Sequence, residues 1–281
     1  MKPKQRRETR PRHRIAILGG GNIGRAIAEG LVHSGRCSAG EILITRRQEA
    51  LLPALARDGF HALADNRDAV RRADVVIVAV QPQQLVSLLD EIRPVLSPRR
   101  HLLVSIVSGV RTRDILDRIQ KRVPVVRAMP NTAIAIRESM TCLGSEAAPA
   151  RAIEVARSIF DALGRTLVIH EDLMIPATAL CACGVAFFLR SIRAASQGGI
   201  EIGFHSDEAL LMAAQTARGA AALVLRAEHH PEPEIDKVTT PRGCTIAGLN
   251  EMEHQGFSSA LIKGIVTSAE KAGKLFVRAR D

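Results

Sequence analysis

Arg14-Ile-Ala-Ile-Leu-Gly-Gly-Gly-Asn-Ile-Gly24 decides the fold of this chain, and Ile42-Leu-Ile-Thr-Arg-Arg47 refines it. Ile15 to Leu18 is a short apolar run that predicts a buried strand, and Arg25 to Val32 continues at helical period. Between them Gly19, Gly21 and Gly24 fit the G-x-G-x-x-G spacing. The first glycine makes the tight turn from strand to helix, the second lets a pyrophosphate approach the backbone, and the third lets helix and strand pack closely. The helix start at Asn22 and Ile23 then offers free N–H groups and a positive dipole end to phosphate oxygens.

The second run predicts a strand that ends in Thr45, Arg46 and Arg47. A site for NAD usually ends this strand with Asp or Glu, which accepts from the ribose 2′-hydroxyl. No carboxylate stands here. A carboxylate repels a 2′-phosphate, whereas a guanidinium binds it in a fork geometry. One such charged hydrogen bond, about 1.5–3 kcal/mol, corresponds to roughly tenfold or more in preference. The cofactor expected is therefore NADPH.

From Arg14 to about His170 short β-branched runs alternate with helical patterns. Strands are predicted at 14–18, 42–45, 60–63, 75–80, 102–106, 124–128, 140–143 and 166–169, and helices at 22–34, 48–57, 66–72, 83–91, 112–120 and 149–162. Such alternation predicts an α/β, Rossmann-type, doubly wound and mainly parallel sheet covered by helices on both faces. Beyond Glu171 the pattern turns helical: 173–197, 206–228 and 257–276 are long Ala- and Leu-rich stretches. Ser206-Asp-Glu-Ala has the look of an N-cap with acids in the first turn, and His229-His-Pro-Glu-Pro233 ends the second helix. The expected division is a basic disordered tail at 1–13, a dinucleotide-binding domain at 14–170 and an all-helical domain at 171–281. The helical part has long apolar faces and little chain to cover them, which predicts a partner subunit and a homo-oligomer.

Composition narrows the function classes. The net charge is +10, and residues 1–13 carry six Lys or Arg against one Glu. With no Trp or Tyr and seven Phe, there is little to stack on bases, so no nucleic-acid partner is expected. No apolar stretch reads as a membrane span, and the polar N-terminus has no apolar core of a signal peptide, so no membrane partner is expected either. Five cysteines without a C-x-x-C pair predict free thiols in a reducing cytoplasm. Cys181 and Cys183, two apart on a predicted helix, point apart, and no metal site is expected.

In such sheets ligands bind beyond the carboxyl ends of the strands. Val76-Ile-Val-Ala-Val-Gln-Pro-Gln83 therefore offers Val80, Gln81 and Pro82 to the ribose and nicotinamide. Ser105 to Val110 leaves the fifth strand, and Val126 to Thr132, with Asn131, leaves the sixth. Asn66 follows the third and reaches toward the adenosine ribose. Lys237-Val-Thr-Thr-Pro-Arg-Gly-Cys-Thr-Ile-Ala-Gly-Leu249 is a turn entering a helix. It reads equally as a carboxylate receptor or as a plain N-cap at Thr240 or Thr245.

With these residues in view, the chain resembles the pyrroline-5-carboxylate reductase family along nearly its whole length. The matching pieces are GGGNIG (19–24), ADVVIVAVQPQ (73–83), RAMPNT (127–132), MT (140–141), AAQTARGAA (213–221) and VTTPRGCTIAGLNEMEHQGFSSALI (238–262). The resemblance implies an NADPH-binding domain and a helical domain intertwined with a second subunit, in a dimer or a ring of dimers. It also implies reduction of the cyclic imine 1-pyrroline-5-carboxylate to L-proline, the last step of proline biosynthesis. By position, Thr240, Gly243, Cys244 and Thr245 would hold the substrate carboxylate, and the Thr245 hydroxyl would sit near the ring nitrogen as the catalytic group. The chain departs from the family pattern at Cys181-Ala-Cys-Gly-Val-Ala186, where Ser-Gly-Ser-Gly-Pro-Ala is usual. It also departs at Gln81 (often Lys), Ala133 (often Pro) and Arg242 (often Gly).

The rival readings are a β-hydroxyacid dehydrogenase, a reductase of a related cyclic imine carboxylate, and a non-catalytic NADPH-binding sensor. The first uses a lysine on the first helix after the domain boundary, yet no Lys occurs from 122 to 236. The sensor has no need of a clamp at 240–245.

Overall fold

The computed structural model describes residues 13–227 and 230–277. The expected disordered tail therefore lies, apart from His13, outside the described residues, as do Glu228 and His229. By contacts the chain divides into two compact units, residues up to 182 together with those from 269, and residues 183–268.

The first unit is built on eight strands: β1 (Ile15–Leu18), β2 (Ile42–Thr45), β3 (His61–Leu63), β4 (Val75–Val78), β5 (Leu102–Ser105), β6 (Val125–Met129), β7 (Ser139–Gly144) and β8 (Gly164–Val168). They form one sheet in the order β3-β2-β1-β4-β5-β6-β7-β8. All pairs are parallel except β6 with β7, where Arg127 faces Gly144. Alternation of side chains explains the two layers. Ile15, Ile17, Ile42, Ile44, Val75 and Ile77 point to one face, under α1 (Asn22–His33) and α6 (Ala150–Phe160). Ala16, Leu18, Leu43, Val76 and Val78 point to the other, under α3 (Asn66–Arg72), α4 (Pro82–Ile92) and α5 (Thr112–Ile119). Strands buried on both faces read as unbroken apolar runs, and this is why they are visible in the sequence. α2 (Leu52–Arg57) completes the β2–β3 connection.

Strand β1 continues to β2 on one side and β3 crosses back to β4 on the other, so the chain reverses direction across the sheet between β1 and β4. That is the switch point at which a crevice opens. β4 stops at Val78, two residues short of the expected 80, because Ala79 turns away after donating its N–H to Leu18 O at 2.8 Å.

A buried polar triad closes this unit. The Glu171 carboxylate, 3% exposed, accepts from the Thr112 N–H at 2.7 Å and the Thr112 hydroxyl at 2.5 Å, and pairs with Arg127 Nη1 at 3.4 Å. Burial lowers the Arg127 pKa from its ordinary value, and the Glu171 charge opposes that shift.

From Glu171 to Glu201 the backbone runs as 31 consecutive helical residues through α7 (Met174–Ala177), a wide π turn at Thr178–Cys183 and α8 (Gly184–Glu201). By length and composition this run suffices to cross a membrane. The expectation that no stretch approaches that length is thus corrected. Pro176 falls within this run without ending it, and the π turn carries the helix on into α8, in keeping with the single helical stretch expected over 173–197.

The second unit contains α8, then α9 (Ser206–Ala227), α10 (Glu232–Val238), α11 (Cys244–His254) and the start of α12 (Phe257–Val277). α10 was not expected. Pro231 and Pro233 look like terminators, yet they occupy the N-cap and second positions, where proline is tolerated. α8 and α9 cross at small residues: a Cβ on Gly199 would lie 3.0 Å from that of Ala209. Phe188, Leu189, Ile202 and Leu211 remain exposed.

Removing one partner of the buried pair leaves an uncompensated charge. Glu171→Ala is expected to cost about 3–5 kcal/mol, read from urea unfolding midpoints. Asp172→Ala, one residue on and exposed, is expected to stay within about 0.5 kcal/mol.

Candidate dinucleotide and carboxylate sites

The glycine turn leaves no room for side chains where the two strands of the crevice meet. Gly19 has φ +113, and a Cβ there would lie 2.4 Å from Ala79 O; one on Gly24 would lie 2.1 Å from Gly19 O. Gly21 differs. It is the N-cap of α1 in extended conformation, and nothing lies within 4 Å of its Cβ direction. No side chain caps this helix, and Asn22 and Ile23 are exposed in its first turn. The N–H groups of a phosphate receptor are thus free.

Around this turn a cleft of about 530 Å³ opens, lined by Gly19, Gly20, Gly21, Thr45, Arg46, Arg47, Gln48, Asn66, Ala79, Val80, Gln81, Gln84, Ser87, Leu88 and Glu91. Eight expected residues come together here: Gly19, Gly21, Thr45, Arg46, Arg47, Asn66, Val80 and Gln81. Gly24 packs behind the turn, and Asn22, Ile23 and Pro82 start helices beside it without lining it. Asn131 is not brought in. Its side-chain oxygen accepts from the Ala133 N–H at 3.0 Å, and its Nδ2 donates to Cys181 O at 3.2 Å.

Arg46 and Arg47 share the cleft but not a role. Arg46 Nη1 donates to Gly20 O at 2.5 Å, which ties the end of β2 to the glycine turn. Arg47 is exposed and has no ion-pair partner among the described residues. The β2 end thus brings an exposed guanidinium and no carboxylate to the cleft. Sequence reading missed Gln84, Ser87, Leu88 and Glu91, although they fall at i, i+3, i+4 and i+7 on one face of α4.

The turn at 240–245 lies in the second unit. The Gly243 N–H donates to Thr240 O at 2.9 Å, and a Cβ on Gly243 would collide with Thr240 Oγ1 at 2.4 Å. Gly243 is the N-cap of α11, with no side-chain capping bond, so neither Thr240 nor Thr245 is the cap. The first-turn N–H groups of Cys244 and Thr245 are open to an anion. Arg242 sits at φ 59, in the left-handed region where glycine is at ease.

The departure at Cys181 has a local partner. Its Sγ lies 3.9 Å from that of buried Cys142. A hydrogen bond from Cys142 lowers the Cys181 thiol to about 7 and raises Cys142.

Gly21→Ala fits the backbone and touches nothing in the chain, but it puts a methyl where phosphate oxygens would approach. The melting temperature should hold within about 2 °C. Calorimetric affinity for NADPH should fall by about tenfold or more.

Residues 14–109 match the family model for NADP oxidoreductase, coenzyme F420-dependent, and residues 171–275 match that for pyrroline-5-carboxylate reductase dimerisation. The chain is 52% identical over 276 residues to pyrroline-5-carboxylate reductase 1 of Dictyostelium discoideum, covering 94% of this chain and 50% of that protein. It thus spans about half the length of that relative. Pyrroline-5-carboxylate reductase 2 of the same organism is 46% identical, with 92% of each chain covered. A solved pyrroline-5-carboxylate reductase from Coxiella burnetii superposes at a TM-score of 0.88 and 30% identity, covering 94% of this chain and 98% of that one. The glycine turn, the cleft at the switch point and the uncapped start of α11 all lie within these matches: the chain belongs to the pyrroline-5-carboxylate reductase family.

Proposed function

We propose that this chain reduces 1-pyrroline-5-carboxylate to L-proline with NADPH. The observation that carries this reading is the Thr240–Gly243 turn, closed by the Gly243 N–H on Thr240 O at 2.9 Å, which opens a helix at Cys244 without a side-chain cap, in a chain that already has a glycine turn at Gly19–Gly24.

The chain divides the work between 14–170, for the cofactor, and 171–281, for the substrate and for self-association. Gly21, with the first-turn N–H groups of Asn22, Ile23 and Gly24, receives the pyrophosphate. Arg47, with the part of Arg46 not spent on Gly20, meets the 2′-phosphate. Asn66 meets the ribose, and Val80, Gln81 and Pro82 shape the path toward the nicotinamide. Asn131 braces the end of β6 from outside the cleft. Bound NADPH supplies the hydride.

Thr240, Gly243, Cys244 and Thr245 hold the carboxylate, largely through backbone N–H groups, which favour an anion and discriminate little among rings. As hydride reaches the carbon of the ring imine in its protonated form, the C=N electron pair moves to the N–H nitrogen and leaves the neutral ring amine. The Thr245 hydroxyl hydrogen-bonds that nitrogen and supports the amine as it forms. Positioning of the ring against the nicotinamide supplies much of the remaining rate. The exposed faces carrying Phe188, Leu189, Ile202 and Leu211 pack against a second copy, as a homodimer or a ring of dimers, and the 31-residue helix is covered there rather than by lipid.

The test is loss of reduced-nicotinamide absorbance with purified chain and 1-pyrroline-5-carboxylate, alongside NADH and the six-membered cyclic imine carboxylate. NADPH-preferring turnover of the five-membered ring is the expected result. Preference for the larger ring would move the reading to a related imine, and binding without turnover would move it to a sensor. Thr245→Ala should lower kcat by about 100-fold while NADPH affinity holds. Arg46→Ala with Arg47→Ala should raise the NADPH KM by about tenfold or more and the NADH KM far less. Equal effects on both cofactors would place recognition of the 2′-phosphate elsewhere.

A further inference from the structure

The cleft contains a carboxylate that the glycine-turn reading does not require. Glu91, at the end of α4, accepts from Asn66 Nδ2 through Oε2 at 2.9 Å. On the other side of the same amide, the Thr45 hydroxyl donates to Asn66 Oδ1 at 2.6 Å. Thr45, 2% exposed, in turn accepts the Gly19 N–H at 3.3 Å. One chain of hydrogen bonds thus runs from a helix end to the first glycine of the turn.

Its direction has a physical cause. An ionised carboxylate can only accept, so Glu91 selects the amide nitrogen of Asn66. The flipped amide would set Oδ1 against a carboxylate oxygen at 2.9 Å. It would also deprive the buried Thr45 O–H of its acceptor, which is costly. With the amide held this way, Thr45 donates to Asn66 and keeps its lone pairs for Gly19. The second amide hydrogen of Asn66 is left for an oxygen of the ligand.

We propose that Glu91 is a positioning residue for the dinucleotide: as an acceptor it orients Asn66, and through Thr45 it holds the Gly19 turn in its phosphate-receiving shape. This rests on the cleft being the cofactor site of the reductase proposed above. In this role Glu91 acts through Asn66 rather than on the phosphates or the reacting ring. Its backbone carbonyl is held separately by Arg67 Nε at 2.8 Å, so side-chain variants keep the end of α4 in place.

Because the role is that of an acceptor rather than of a charge, Glu91→Gln and Glu91→Leu separate it from alternatives. Calorimetric titration of the full chain with NADPH and with NADH should find Glu91→Gln within about twofold of the parent, since the amide oxygen accepts the same bond and the Thr45 hydroxyl, which needs Asn66 Oδ1 as its acceptor, keeps the direction. Glu91→Leu should bind both cofactors about tenfold more weakly, by similar factors, with the KM for 1-pyrroline-5-carboxylate at saturating NADPH unchanged. Parental affinity in Glu91→Leu overturns the proposal, and so does a loss in Glu91→Gln as large as in Glu91→Leu. If Glu91→Leu does not fold, Thr45→Ser and Thr45→Val replace it: serine should keep the affinity and valine lose about tenfold, and an unaffected valine variant overturns the proposal. A parent chain that binds neither cofactor would overturn the reductase reading as well, a result distinct from tight parental binding that survives Glu91→Leu.

Discussion

The absence of side-chain atoms where β1 meets α1 is the constraint on which the rest of the first unit depends. A single Cβ on Gly24 would lie 2.1 Å from Gly19 O, and one on Gly19 would press on the carbonyl of Ala79. Only with both positions bare do α1, β1 and β4 approach closely enough for the Gly20 N–H to reach Thr45 O and the Ala79 N–H to reach Leu18 O. The same economy of atoms leaves the start of α1 uncapped and facing outward. Packing and ligand reception therefore share one cause.

Polarity is arranged around that turn from three directions. Arg46 holds the Gly20 carbonyl, Thr45 holds the Gly19 N–H, and the pair Asn66–Glu91 sets which way Thr45 donates. Arg47 is left to solvent and ligand. A strand end rich in cations is thereby divided into one group that maintains the loop and one that stays exposed in the cleft.

Elsewhere charge serves to join segments. Glu171 anchors the start of the long helical run to Thr112 and Arg127 in the sheet unit. A buried ion pair adds little to stability compared with an apolar replacement, but it tolerates no partial loss. Beyond it, the helical segments expose large apolar side chains, within the stretch that matches the dimerisation model.

All eight strands, the six helices between them and the glycine turn were legible in the sequence, because each depends on neighbours within a few residues: apolar runs of four, helical period and bare glycines. The cofactor cleft was half legible. Thr45, Arg46, Arg47, Asn66, Val80 and Gln81 stand at strand ends, where topology alone sends ligands. Glu91 does not, and its meaning arises only when α4 folds back beside Asn66, 25 positions away in the chain. α10 was hidden because Pro231 and Pro233 signal breaks locally, while their places at the N-cap and in the first turn of the helix remove the penalty. The sequence by itself determined which segments become strands and helices and where a phosphate would be received, since those are short-range consequences of side-chain size and pattern. Only the tertiary structure decided the antiparallel seventh strand, the Glu171 anchor and the chain of hydrogen bonds from Glu91 to Gly19, since each requires polar groups far apart in sequence to meet where water is excluded.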